Sequence, residues 1–206
     1  MIETRYPQIL TVAAGMFARR GFHQASTREI ARAAGLSLAG LYHYVGGKDE
    51  LLFLVLDRAL DMLLARLDEA LAAVRTPEGR LLALIRTHLD FAFHHPDELR
   101  IINRDYELLG EPKRAEIAAK RQGYVQRGLV TLRRLDPHDR PGDELLSATN
   151  LLLGMLNGIG RRPFIQSSQD VHALACQVGA LFLYGFLERS DIGTAPAESL
   201  GDEHGD

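Results

Sequence analysis

Residues 26–51 read Ser26-Thr27-Arg28-Glu29-Ile30-Ala31-Arg32-Ala33-Ala34-Gly35-Leu36-Ser37-Leu38-Ala39-Gly40-Leu41-Tyr42-His43-Tyr44-Val45-Gly46-Gly47-Lys48-Asp49-Glu50-Leu51. Ser26 to Glu29 has the spacing of a capping box, the serine accepting from an orphan amide while the glutamate reaches back. The helix it opens carries Ile30 and Ala34 and stops at Gly35, where a tight turn needs positive φ. Ser37 then caps a further helix from Leu38 to about Val45, with Leu41 and Val45 on one face. Two short helices joined by a glycine turn form a helix-turn-helix, which sets its second helix in the DNA major groove.

Working outward, Ile9, Leu10, Ala13, Ala14 and Phe17 fall at helical spacing, and Gly21 sits where a helix-ending glycine belongs. Gly46-Gly47 breaks the chain, and Lys48-Asp49-Glu50 opens a long helix whose first turn carries the acids that its dipole favours. That helix runs to about Val74, before Thr76-Pro77. The pattern predicts further helices at roughly 78–95, 97–109, 112–135, 143–161 and 170–188, and no strand. The expected architecture is all-α with about nine helices: a three-helix head at 1–50 and a ligand-binding and dimerisation body at 51–189. Residues 190–206 carry five acids and no base, and are expected to be a disordered tail.

The composition sets the class. At 206 residues, 46% hydrophobic and 25% charged, the chain is long enough for a substantial core and reads as a soluble, cytoplasmic protein. The N-terminus has no signal-peptide pattern and no stretch is long enough to span a membrane. The single Cys176 forms no internal disulfide, and no Cys/His set has metal-ligand spacing. The net charge of −3 conceals an asymmetry. Residues 1–48 hold six Lys/Arg against two Asp/Glu, whereas the rest of the chain holds 18 against 25. A basic head on an acidic body fits DNA contact at one end.

The first fifty residues resemble the TetR family of regulators. The resemblance rests on Ile9-Leu10-x-x-Ala13-Ala14-x-x-Phe17-x-x-x-Gly21-Phe22, Ile30-Ala31-x-x-Ala34-Gly35-Leu36-Ser37, Leu41-Tyr42-His43-Tyr44 and Lys48-Asp49-Glu50-Leu51. It implies a dimeric regulator, usually a repressor, that binds a near-palindromic operator and is released by a small-molecule inducer. It also implies that Ser26, Thr27 and Arg28 meet a phosphate, and that Ser37, Leu38, Ala39 and Gly40 enter the major groove. Tyr42 and Lys48 match phosphate-holding positions, and His43 and Tyr44 match positions reaching phosphate or base edges. For Tyr44 the alternative of packing between helices stands beside this. Ala39-Gly40 replaces a commoner Gly-Thr, and Leu38 faces outward, where a thymine methyl would suit it.

Beyond residue 51, His88-Leu89-Asp90-Phe91 through Arg100, Arg114-Ala115-Glu116-Ile117 and Leu153-Gly154-Met155-Leu156-Asn157 resemble the branch of that family whose inducers are acyl-CoA thioesters. Phe91, Asn103, Tyr106, Tyr124, Asn150, Asn157, Arg161 and Arg162 are the candidate ligand residues, the two arginines facing phosphates or complementing a helix dipole. Leu174, Val178, Leu181, Phe182 and Gly185 form a stripe suited either to a dimeric four-helix bundle or to an internal core. A regulator of efflux or signalling genes with a non-CoA ligand is the alternative. A helical metal protein or enzyme using His88, Asp90, His94 and His95 is more distant, because i and i+2 do not share a helix face. No cofactor and no metal are expected.

Overall fold

The computed structural model describes residues 5–159 and 167–187, and among them it is all helical, with no strand. The tail at 190–206, the loop at Pro163 and the candidates Arg161 and Arg162 lie outside the described residues.

The head comprises α1 (Arg5–Arg20), α2 (Thr27–Ala33) and α3 (Leu38–Tyr42). In α1 the stripe Ile9, Leu10, Ala13, Ala14, Phe17 is buried, and so are Gly15, Met16 and Ala18, because α2, α4 and α6 all pack against this helix. Gly21 and Gly35 take φ of +80° and +70°, the left-handed conformation that ends α1 and turns α2 into α3. Ser37 Oγ accepts from the Gly40 amide at 3.0 Å, the N-cap expected of it.

Two local expectations are corrected. Ser26 stands at the N-cap of α2 with extended backbone but makes no side-chain capping bond. Glu29, the other half of the expected box, is held chiefly by Arg20 through contacts of 2.7 and 2.8 Å, with a smaller contribution from the Ser26 backbone. That guanidinium is the main cause holding the Glu29 carboxyl below its usual range. The recognition helix is also shorter than read: α3 ends at Tyr42, and the chain turns before Val45.

The body is built on α4 (Lys48–Ala72), whose 25 residues span about 37 Å at 1.5 Å per residue. Leu51, Leu52, Val55, Leu56, Ala59, Leu60, Leu63, Leu67 and Leu71 form one buried stripe along it. Around it lie α5 (Pro77–His94), α6 (Pro96–Arg104), α7 (Lys113–Leu135), α8 (Gly142–Ile159) and α9 (Ser168–Leu181). A single 3₁₀ turn, Tyr106–Leu108, follows α6, and a π segment, Phe182–Leu187, follows α9. The expected helix over 97–109 therefore stops early. Its last amide bond joins Asp105 N–H to Ile101, and the Asp105 side chain is buried in an ion pair with Arg104 at 2.6 Å.

Ion pairs fasten α7 to α4: Lys120 reaches Asp57 and Asp61, and Arg127 forks onto Asp68 at 2.6 Å. A fork of this kind fixes orientation more firmly than a single contact. The α9 helix packs along α5 through Val171, Ala175 and Val178.

Candidate nucleic-acid interface and ligand cavity

The candidate DNA-contacting residues of the head all reach the surface in whole or in part. Ser26, Arg28, Ser37, Ala39, Tyr42 and His43 are exposed, while Thr27, Leu38, Gly40, Tyr44 and Lys48 are half-buried. Beneath them Leu41 and Val45 are buried and anchor the turn. Among the described residues Arg28 makes neither a hydrogen bond nor an ion pair, so its charge stays directed to solvent. Tyr42 is 49% exposed, unusually so for a large aromatic, and its ring is open to a partner.

Two candidates carry structural work as well. Lys48 donates to the His23 carbonyl at 3.0 Å and sits 4.6 Å above the Phe22 ring, tying the start of α4 to the turn after α1. Tyr44 packs against the core, as one of its two readings required.

A cavity of about 220 Å³ opens inside the body, lined by parts of five helices. Leu60 and Leu63 come from α4, His88 from α5, and Leu99, Ile102 and Asn103 from α6. Arg121, Tyr124 and Val125 come from α7, and Asn150, Leu153, Gly154 and Asn157 from α8. Four of the candidate ligand residues, Asn103, Tyr124, Asn150 and Asn157, thus meet around one space. Asn103 Nδ2 donates to Asn157 Oδ1 at 2.7 Å, which joins α6 to α8 across it.

Phe91 and Tyr106 do not line this cavity. Phe91 is wholly buried against His95, with ring centroids 4.9 Å apart. Tyr106 lies in the 3₁₀ turn, its ring under the Arg121 guanidinium at 3.7 Å and its hydroxyl on Glu107.

Sequence reasoning missed two cavity residues. His88, weighed from sequence only as a distant metal or enzyme candidate, is 2% exposed, with Nδ1 2.8 Å from the Tyr124 hydroxyl. Burial pushes its pKa down to about 4, so the ring is neutral at pH 7. The signal was present: His88 follows Leu81, Leu84 and Ile85 on the apolar stripe of α5. Arg121 is half-buried, donates to the Ile102 carbonyl at 2.9 Å, and forms no ion pair among the described residues. Burial lowers its pKa, with Tyr106 and Glu107 opposing the effect. Among the described residues the cavity lining therefore holds one cation and no carboxylate.

The other histidine candidates do not converge. His94 bonds the Asp90 carbonyl, His95 lies 4.0 Å from Glu98, and no cluster of three metal-ligating side chains occurs among the described residues. No helix among them is long and apolar enough to cross a membrane.

On the last helices, Val178 and Phe182 are buried in this chain's own core, Leu174 is half-buried, and Leu181 and Gly185 are exposed. Val178 and Phe182 are thereby removed from the expected intersubunit stripe, because α9 turns them onto α5 and the body. The outward apolar surface consists of Leu151 and Met155 on α8, with Leu181 and Tyr184 beyond.

Residues 9–55 match the family model described as bacterial regulatory proteins, tetR family. Residues 74–161 match the tetracyclin repressor-like C-terminal domain. The HTH-type transcriptional repressor KstR2 of Mycobacterium tuberculosis is 30% identical over 113 residues, which cover 55% of this chain and 56% of KstR2. The chain spans about half the length of the curated relatives it matches. Among solved structures, a TetR-family transcriptional regulator from Bordetella parapertussis 12822 superposes with a TM-score of 0.81 at 28% identity, covering 90% of this chain and 97% of that one. AibR, solved in complex with isovaleryl coenzyme A and operator DNA, gives a TM-score of 0.75 at 26% identity, covering 87% and 98%.

Proposed function

The chain belongs to the tetR family of bacterial regulatory proteins, and from that premise we propose that it is a dimeric transcriptional regulator released from operator DNA by a small acyl-CoA. The observation that carries the reading is the double character of α6. One stripe of it, Leu99, Ile102 and Asn103, lines the cavity. The opposite stripe grips α1 of the head: Arg104 donates to the Phe17 carbonyl at 2.8 Å, Arg100 to that of Ala18 at 3.5 Å, and Asp97 pairs with Arg19 at 3.5 Å. A ligand that displaces α6 must therefore disturb the helix that carries the reading head. A ligand acting this way binds the two head positions unequally, which is all that coupling requires.

On DNA, Arg28, Tyr42 and Lys48 take phosphates, while Ser37, Leu38, Ala39, Gly40 and His43 face the groove. The acyl-CoA class is supported by the isovaleryl coenzyme A of AibR and by the cavity itself, whose described lining sets leucines beside amides, a histidine, a tyrosine and one cation. An acid-free cavity does not suit the lipophilic cations that an efflux regulator would sense, since a buried cation needs a countercharge.

Fluorescence anisotropy on the promoter DNA beside its own gene tests the reading. Specific binding is expected, released by isovaleryl-CoA. Arg28→Ala should weaken all sites alike and lower the salt slope by about one phosphate contact. Binding that no acyl-CoA disturbs would remove the inducer class. Failure to select any operator from genomic DNA would remove the regulator reading.

A further inference from the structure

The buried edge of His88 has one side answered and one side not. Nδ1 lies 2.8 Å from the Tyr124 hydroxyl, while Nε2 is buried and reaches no hydrogen-bond partner. Asn157 stands beside the ring and favours its charged form, but its side chain, which accepts from Asn103, is not placed to complete a hydrogen bond with Nε2. The phenol hydrogen decides the tautomer. Burial pushes the Tyr124 pKa up, so the phenol keeps its proton, and Nδ1 is its one acceptor among the described residues. Nε2 then carries the ring hydrogen. The opposite arrangement would leave both the phenol hydrogen and the Nε2 lone pair unanswered, at the cost of two buried orphans instead of one.

An orphaned N–H donor in a cavity walled by leucines is an unmet demand for one acceptor. A carboxylate would have to shed its water beside Leu60, Leu63, Leu99 and Leu153 and take its countercharge from Arg121, whose guanidinium is already engaged with the Ile102 carbonyl and the Tyr106 ring. An uncharged carbonyl supplies the lone pair at much lower desolvation cost. The volume bounds the rest: about 220 Å³ is below the roughly 300–1,000 Å³ of sites that enclose drug-sized ligands. The space suits a short acyl group and not a long chain or a whole nucleotide.

We propose that His88 Nε2–H donates to the thioester carbonyl of a short-chain acyl-CoA, Tyr124 fixing the tautomer, so that the cavity reads acyl length and carbonyl together. This rests on the acyl-CoA reading above. His88 is a binding residue here and Tyr124 a positioning one.

Isothermal titration of the full chain compares isovaleryl-CoA, its thioether analogue lacking the carbonyl oxygen, and palmitoyl-CoA. The thioester should bind about tenfold tighter than the thioether, the value of one buried hydrogen bond, and tighter than palmitoyl-CoA. His88→Leu should remove the thioester preference, and His88→Gln, which keeps a donor, should retain part of it. Nitrogen NMR of the unliganded protein should show a protonated Nε2 that shifts on adding isovaleryl-CoA, a readout that needs no variant to fold. Equal binding of thioester and thioether, or an Nδ1-protonated ring, would overturn the carbonyl reading and leave the acyl-CoA class standing. Binding of palmitoyl-CoA as tight as isovaleryl-CoA would overturn the short-chain limit. No binding by any of the three would overturn this proposal and the inducer class together.

Discussion

Burying His88 commits its imidazole to the neutral form, and that commitment has a pH signature. In the unfolded chain the ring titrates near 6.5, while in the folded protein its pKa falls to about 4. Between those values the unfolded state binds a proton that the native state refuses. Stability therefore rises with pH across the window, is fully present above 6.5, and is lost as pH falls towards 4. The shift corresponds to about 3 kcal/mol for a wholly buried group. Denaturant melts at pH 7 and pH 4.5 should show this loss in the wild type and a smaller one in His88→Leu. Equal slopes in the two proteins would mean that His88 does not titrate as its burial requires. The other titrating groups of the cavity, Tyr124 and Arg121, keep their protons throughout this window. At this scale the sequence was only partly readable. Asn103, Tyr124, Asn150 and Asn157 could be named because polar residues in apolar helices stand out, but which of them share a space depends on helix rotation. Arg121 was missed because it resembles an ordinary surface residue until the neighbouring helices cover it, whereas the position of His88 on the apolar stripe of α5 was legible.

Helices are where the chain spells itself out most clearly. Gly21, Gly35, Gly46-Gly47, Thr76-Pro77 and Pro96 punctuate the sequence, and α1 to α5 begin and end within a few residues of these marks. The departures arise where side chains redirect the backbone. Arg20 engages Glu29 while Ser26 makes no side-chain cap, and Asp105 turns inward to Arg104 and ends α6 before Leu109. Neither partnership has a periodicity that could reveal it. The second of them matters for coupling, because Arg104 joins Asp105 to the Phe17 carbonyl and so fixes α6 on α1. The double variant Arg104→Gln with Asp105→Asn removes both charges together and avoids stranding a buried carboxylate. It should leave isovaleryl-CoA binding nearly unchanged and cost about 1–2 kcal/mol of stability. The loss of operator affinity caused by the ligand should shrink several-fold. Anisotropy titrations with and without isovaleryl-CoA measure that ratio, and a full response in the double variant would show that α6 does not carry the signal.

At the scale of the whole molecule, the head and the cavity alone do not explain how the proposed function would engage a near-palindromic operator. Two heads must be held about 34–36 Å apart to meet successive major grooves on one side of the duplex. The surface available for that work is the outward side of α8 and the segment after α9. Leu151 and Leu181 are 66% and 63% exposed and Tyr184 is 67% exposed, a high figure for side chains whose burial would each release about 1.5–3 kcal/mol. Gly158 on α8 meets nothing where a side chain would project, which permits close approach of a second helix. The inward stripe Leu145, Ala148, Thr149, Leu152 and Leu156 is already used by this chain. The outer one is therefore free to pair with its copy. Leu151→Glu with Leu181→Glu should convert a sedimenting dimer to a monomer at micromolar concentration, with thermal stability of the subunit little changed. Operator affinity should then fall by two orders of magnitude or more, because each half-site loses the effective concentration that its linked neighbour supplies. A wild type that sediments as a monomer, or a double variant that remains dimeric, would move the subunit contact elsewhere on the body.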